Sequence, residues 1–143
     1  MYVLTDTVGL LIVRNLPLNT KIHHLTTNLL GIYVICNKHY FGSSTYLPVL
    51  YASFSALSFI VNFYLAFRAH NPSHFLRYYL SGASYFIYLV TSILNWIVQI
   101  YYLLVTITFG EILFPFLYIF CLCAIIYDDI VLMKWLKQDL AKF

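Results

Sequence analysis

Charged residues are scarce in this sequence. Lysine, arginine, aspartate and glutamate together make up 9% of its 143 residues, whereas 62% are hydrophobic. A water-soluble chain of this length cannot bury so much apolar surface. We therefore predict that residues 1–143 form a single transmembrane domain with lipid as its main solvent. The formal net charge of +3 comes from scattered basic residues, a pattern that argues against nucleic-acid binding.

Cysteines and catalytic groups are also few. Cys121 and Cys123, two of the three cysteines, lie in one apolar stretch at a spacing that does not suit a disulfide framework. The only paired carboxylates are the adjacent Asp128 and Asp129, which point apart on a helix, and no glycine-rich phosphate loop is present. We expect no enzymatic activity, no cofactor and no metal site.

A fifty-residue stretch from Tyr78 to Tyr127 contains a single charged residue, Glu111. As one helix this stretch would reach about 75 Å, more than twice the roughly 30 Å hydrocarbon core of a bilayer. We therefore predict that the chain folds back at Gly110 and Glu111. The predicted bounds of the two resulting spans and of the tail that follows them are 73–108, 112–133 and 134–143.

Two earlier segments complete the predicted topology. Residues 45–67 carry no charge and form a clear span, whereas residues 14–24 are predicted to be a polar loop. Residues 23–42 cross only if Lys38 snorkels. If residues 23–42 cross, seven of the eight lysines and arginines lie on one side of the membrane. If they do not cross, five lie on one side and three on the other, which fits the positive-inside rule less well. We therefore predict an all-α, four-helix integral membrane bundle with both termini cytoplasmic.

Polar residues of the third predicted span recur at steps of three and four, which places them on one helical face. They are Ser81, Ser84, Tyr88, Thr91, Ser92, Asn95, Gln99, Tyr102 and Thr106. The second predicted span has a face of small residues that allows close helix approach. Its members are Ala52, Ser55, Ala56, Ser58, Asn62 and Ala66.

The favoured interpretation of these two faces is that they pack together. A polar track for an ion or a small molecule and a groove for a lipid or sterol are the alternatives. The track interpretation is disfavoured because its only ionisable groups are tyrosines. Asn95 and Gln99 are the central residues in each case. Asp128 and Asp129 lie near the end of the fourth predicted span, within a turn or two of Lys134. We interpret them as local ion-pair partners or as snorkelling groups, with partner binding as the alternative.

Two short segments carry a resemblance to a known family. One is Leu-Pro-Leu-Asn-Thr at 16–20, and the other is the basic loop from Arg68 to Leu76, which contains Asn71 and Pro72. With these segments the chain resembles the lysosome-associated four-span membrane proteins and the insect four-span proteins of the Pasiflora type. Lys21 stands where that family commonly has glycine. The resemblance implies a non-enzymatic role in membrane-protein trafficking or in the assembly of junction complexes.

The functional prediction is therefore a scaffold or accessory subunit in the plasma membrane or an endomembrane. Its expected partners are the lipid bilayer and other integral membrane proteins, with a homo-oligomer as a further possibility. Two alternatives stay open. One is a channel or transporter element that uses the polar face of the third span, and the other is a small subunit of an energy-transducing complex.

Overall fold

The computed structural model describes residues 7, 10, 16–38, 41–68, 70, 73–106 and 113–143. Within these ranges the chain is helical and contains no strand, as the all-α prediction requires. The elements are α1 (Leu18–Cys36), a 3-10 turn (Ser44–Tyr46), α2 (Leu47–Leu57), α3 (Phe59–Arg68), α4 (His74–Thr106) and α5 (Leu113–Leu140). The predicted turn at Gly110 and Glu111 lies outside the described residues.

Three segments are long and apolar enough to cross a membrane, namely Ser44–Arg68, His74–Thr106 and Leu113–Leu140. They correspond to the second, third and fourth predicted spans, as expected for an integral membrane protein. The helix at the position of the first predicted span, α1, is not one of the three.

Helix α1 begins and ends earlier than the predicted span of 23–42. Pro17 directly precedes it, and the Pro17 carbonyl accepts a hydrogen bond from the backbone N–H of Lys21 at 3.0 Å. At the other end the Asn37 side-chain amide and its backbone N–H both donate to the Tyr33 carbonyl, at 2.9 and 3.1 Å. The prediction of a loop over 14–24 is therefore wrong for residues 18–24, since the helix starts directly after the proline.

Helix α5 continues seven residues beyond the predicted end of the span at 133, so residues 134–140 of the predicted tail are helical. The continuation is stabilised by burial, because Leu136 and Asp139 are both fully buried against the rest of the bundle. Lys134 and Lys137 lie on the exposed side of the same turns. The basic and apolar residues that resemble an interfacial tail are thus an amphipathic end of the helix.

The second span is broken at Ser58, between α2 and α3. The Ser58 backbone N–H bonds to the Ser55 carbonyl at 3.1 Å, and the Ser58 hydroxyl lies 3.1 Å from the Thr91 hydroxyl on α4. Irregular backbone at membrane depth is tolerated where it is buried in protein or lines a cavity. The break therefore marks the part of the bundle where such a cavity is expected.

Two apolar clusters hold the helices together. The first joins α1, α2, α4 and α5 and consists of Leu30, Leu47, Tyr51, Leu103, Tyr118, Leu122 and Ile125. The second joins α3, α4 and α5 and consists of Val61, Tyr64, Tyr88, Met133 and Leu136. We call the end of the bundle beyond the second cluster the basic end, because Arg68, Arg77 and Lys142 gather there. Polar side chains fill the layer between the clusters.

Two glycines provide a matched test of the backbone. Gly42 has a φ of +93°, which an L-residue adopts only with strain, whereas Gly82 lies within α4. We expect Gly42→Ala to lower the free energy of unfolding by about 1 kcal/mol and Gly82→Ala to raise it by up to about 1 kcal/mol. A Cβ at Gly82 would meet the Leu140 side chain at 3.8 Å, an ordinary contact. Equilibrium unfolding in detergent measures the free energy of unfolding of both variants. A change of the same sign and size in the two variants would contradict the prediction.

Candidate functional site

The predicted polar face of the third span points into the bundle. Its buried members are Ser81, Ser84, Tyr88, Thr91, Ser92, Asn95, Gln99 and Thr106. Tyr102 is half-buried, and its hydroxyl accepts a hydrogen bond from the Gly42 backbone N–H at 2.6 Å. Polar groups that would be costly in lipid therefore contact other helices, as the spacing predicted.

The small-residue face of the second span lies differently from the prediction. Ser55 is buried and Ser58 is half-buried, but the remaining members are exposed: Ala52, Ala56, Asn62 and Ala66. The side chains that fill the interior are larger ones, among them Tyr51, Val61 and Tyr64. The prediction of packing against α4 is therefore wrong for Ala52 and Ala56, because bulky residues and the break at Ser58 set the inward face.

A cavity of about 430 Å³ lies in the polar layer between the two apolar clusters. One end of the cavity is lined by Leu16 and Trp135 and lies towards the basic end. The other end is at Asn95 on α4. Each of the helices α1 to α5 contributes to its wall, and the break at Ser58 opens onto it. Its polar lining includes Asn19, His23, Ser58, Thr91, Ser92, Asn95, Asp128 and Asp129.

Asp128 connects the cavity to the first turns of α1. Its Oδ1 accepts hydrogen bonds from the Asn19 amide at 2.6 Å and the Thr20 hydroxyl at 3.3 Å, and its Oδ2 lies 3.4 Å from His23 Nδ1. The residue is only 8% exposed. Its position at the start of α1 is favourable for a negative charge, because the free N–H groups of a helix N-terminus carry partial positive charge.

Asp129 faces α4 from the same wall. Its Oδ1 accepts a hydrogen bond from the Tyr88 hydroxyl at 2.6 Å, and its Oδ2 accepts one from Trp96 Nε1 at 3.0 Å. It is 6% exposed. Both oxygens are thus oriented by donors from α4, of which Tyr88 belongs to the predicted polar face and Trp96 does not, and this is the arrangement that a buried carboxylate requires.

The interpretation of Asp128 and Asp129 as partners of Lys134 is therefore wrong. Lys134 is exposed, whereas both carboxylates are buried and bond to α1 and α4. The physical reason is that α5 directs this face into the bundle along its whole length, including its last turns. The ionisable groups that the polar face of α4 lacks are supplied by α5 and by His23 of α1.

Beyond Asn95 the polar face is closed by a hydrogen-bonded layer. Gln99 Nε2 donates to Asn95 Oδ1 at 3.2 Å, and the Tyr118 hydroxyl lies 2.8 Å from Gln99 Oε1 and 3.4 Å from the Leu47 carbonyl. Gln99 and Tyr118 are fully or almost fully buried and lie outside the cavity wall. The cavity therefore stops at Asn95, on the side of the first apolar cluster.

A second buried carboxylate cluster lies at the basic end. Asp139 is fully buried and accepts a hydrogen bond from the Tyr64 hydroxyl. Lys142 Nζ lies 3.0 Å from this carboxylate, a guanidinium nitrogen of Arg68 lies 3.4 Å away, and one of Arg77 lies 4.0 Å away. These contacts connect α3, α4 and α5, so the cluster fixes the helix ends rather than lining the cavity.

The acidic residues of α5 are the part of the site that sequence reasoning missed. A usable signal was present, because Asp128 and Asp139 are eleven residues apart, which is about three helical turns and places both on nearly the same face. For His23 no comparable signal exists, since the start of α1 depends on Pro17 and on contacts with α5.

Comparison with known proteins gives no relative from which a function could be inferred. No protein-family model, curated protein or solved structure matches the chain.

Proposed function

We propose that this protein is a membrane carrier element that binds a positively charged solute in the cavity between its helices. The observation that carries the proposal is the presence of two buried carboxylates, Asp128 and Asp129, on the wall of one cavity at the level of the apolar spans. Ionisable residues inside membrane spans are costly and commonly mark a substrate or ion pathway.

The charge of the wall favours a cationic solute. Among the described lining residues there are two aspartates and neither lysine nor arginine; the other ionisable groups there are histidines and tyrosines. Hydrogen bonds from Asn19 or Tyr88 stabilise the carboxylates but do not neutralise them. Asp128 has His23 Nδ1 at 3.4 Å, whereas the described partners of Asp129 are the uncharged Tyr88 and Trp96. A buried charge without a counter-charge is strongly unfavourable, so a cation bound beside Asp129 would stabilise this wall.

Closure of the cavity on one side favours a carrier over a permanently open pore. The wall extends towards the basic end at Trp135 but is closed beyond Asn95 by the layer of Gln99 and Tyr118. Irregular helices recur at solute sites of membrane carriers. The irregular turn at Ser58 lines this cavity, although its own N–H and carbonyl are both hydrogen-bonded within the second span. We infer that movement of this layer would expose the site to the other side.

The proposed topology has four spans, with α1 as the first. Its inward residues are polar, His23 and Thr27 among them, whereas its outward face is a row of exposed aliphatic side chains, as expected for a helix in lipid. That row consists of Leu18, Ile22, Leu25, Leu29, Ile32 and Ile35. By the positive-inside rule the basic end, and with it both termini, would be cytoplasmic.

A scaffold or accessory subunit in trafficking or junction assembly is the second candidate. Ala52 and Ala56 favour it, because they are one turn apart and exposed, so a helix of another protein could approach closely there. Leucine at both positions would impair complex assembly and leave solute uptake intact if the two roles are separate.

The proposal is tested by placing one cysteine on the cavity wall. In a chain whose Cys36, Cys121 and Cys123 are replaced by alanine, Ser92→Cys introduces a thiol on the wall, and Ser81→Cys places one on the same buried face of α4 away from it. We expect a trimethylammonium methanethiosulfonate reagent to modify the Ser92→Cys protein at least about tenfold faster, a difference of about 1.4 kcal/mol in barrier.

The functional readout is uptake into proteoliposomes. Radiolabelled sodium, rubidium and methylammonium are measured in separate assays, and modification of the Ser92→Cys protein is expected to stop the uptake of each cation that the unmodified protein carries. The Ser81→Cys protein should be unaffected. Equal modification rates, or uptake that survives complete modification at Ser92→Cys, would contradict the proposal.

A further inference from the structure

We propose that the solute is a small organic ammonium ion, an inference that rests on the proposed function and specifies its substrate class. The cavity wall combines the two carboxylates with the aromatic rings of Tyr51 and Phe54. The ring of Trp135 also lines the cavity, and the Arg68 guanidinium lies over it, 5.1 Å from the ring centroid. Carboxylates provide the counter-charge, and the faces of aromatic rings attract an alkylated ammonium group whose charge is spread over its carbons. This combination suits an organic cation better than a compact hydrated one.

The size of the cavity favours a ligand of several atoms. Its volume of about 430 Å³ lies within the range of roughly 300–1,000 Å³ that is typical of small-molecule sites. A proton or a bare metal ion would leave most of this space to water. An ammonium compound with a few carbon atoms fills it and covers apolar parts of the wall such as Phe54 and Leu65.

The polar atoms on the wall retain capacity for such a ligand. Each oxygen of Asp129 accepts one protein hydrogen bond, and a carboxylate oxygen has two lone pairs. His23 is 9% exposed, and its Nδ1 has no hydrogen bond although it lies 3.4 Å from Asp128 Oδ2. The Nδ1 edge of this ring thus faces Asp128, and the unused lone pairs of Asp129 are the acceptor capacity that a ligand in the cavity can reach.

The two tryptophans of the chain provide a direct probe of binding. Trp96 donates to Asp129 and Trp135 lines the cavity, so both report on the same site. The purified full chain in lipid nanodiscs is titrated with choline and with its uncharged isostere 3,3-dimethylbutan-1-ol, and with sodium chloride in a separate series. The change in tryptophan emission gives each affinity.

We expect choline to bind at least about tenfold more tightly than the isostere, because a desolvated cation beside aromatic rings and a carboxylate gains this much. Asp129→Asn should reduce the ratio to below about twofold, while Asp129→Glu retains a preference for choline and Ser53→Ala, on the exposed side of α2, leaves it unchanged. The comparison of the two ligands on the unaltered chain does not depend on how any variant folds.

Three results would overturn the inference. Equal affinity for choline and the isostere would show a binding cavity without selection for ammonium. A saturable response to sodium that depends on Asp129, with none to choline, would leave a cation carrier standing but give it an inorganic solute. A response to no ligand, together with cation uptake that is insensitive to Asp129→Asn, would remove both this inference and the proposed function.

Discussion

Replacement of Asp139 by alanine is expected to lower the free energy of unfolding by about 3 kcal/mol. The fully buried carboxylate is contacted by the Tyr64 hydroxyl, by Lys142 and by the guanidinium groups of Arg68 and Arg77. Its loss leaves one buried hydroxyl unpaired and three cations facing each other at the ends of α3, α4 and α5. The value is at the low end for a buried pair because Lys142 is 60% exposed and is screened by solvent.

The measurement is equilibrium unfolding in mixed detergent micelles, followed by circular dichroism. Gln138→Ala is the matched control, since Gln138 is the exposed neighbour of Asp139 on the same turn of α5. Its free energy of unfolding should lie within about 0.5 kcal/mol of that of the unaltered protein. If Asp139→Ala unfolded at the same detergent fraction as this control, the cluster would not stabilise the bundle.

The inward face of α4 could be predicted because its polar residues are rare and conspicuous. In a span that is otherwise apolar, Ser84, Asn95 and Gln99 are costly in lipid, so their spacing alone determines which side faces protein. The three long spans could likewise be predicted from the lengths of the apolar segments, since the thickness of the bilayer sets the number of residues that a helix needs to cross it.

The face of the first half of α5, before Asp128, was not accessible to the same reasoning. From Leu113 to Tyr127 it is apolar on every side, so hydropathy cannot distinguish the buried Tyr118 and Leu122 from the exposed Phe120. The break at Ser58 was hidden for another reason. Serine is common within helices, and its effect depends on the Thr91 hydroxyl of a different helix.

The start of α1 illustrates how tertiary contacts decide a boundary. Residues 18–24 contain Asn19, Thr20, Lys21 and two histidines, a composition typical of a loop. In the structure the polar members Asn19, Thr20 and His23 contact Asp128, which compensates their removal from water and allows the helix to begin directly after Pro17. A single-sequence pattern contains no information about that partner.

Replacement of Asp129 by asparagine is expected to abolish cation uptake while leaving the bundle assembled. The substitution removes the charge and retains the shape of the side chain, but an asparagine can accept from only one of Tyr88 and Trp96. The unpaired donor costs about 1–3 kcal/mol of stability, less than the loss expected at Asp139. Asp128 alone then provides negative charge on the cavity wall, and it is already in contact with Asn19, Thr20 and His23.

The most direct measurement of the central claim is the initial rate of cation uptake into liposomes that contain equal, quantified amounts of the unaltered protein or the Asp129→Asn variant. Ser53→Ala serves as the control and empty liposomes define the background. We expect the unaltered protein and Ser53→Ala to take up methylammonium at least about tenfold faster than Asp129→Asn, a difference of about 1.4 kcal/mol in barrier, with the variant at background. Equal rates for Asp129→Asn and the unaltered protein would contradict a role for the acidic cavity in carrying a cation.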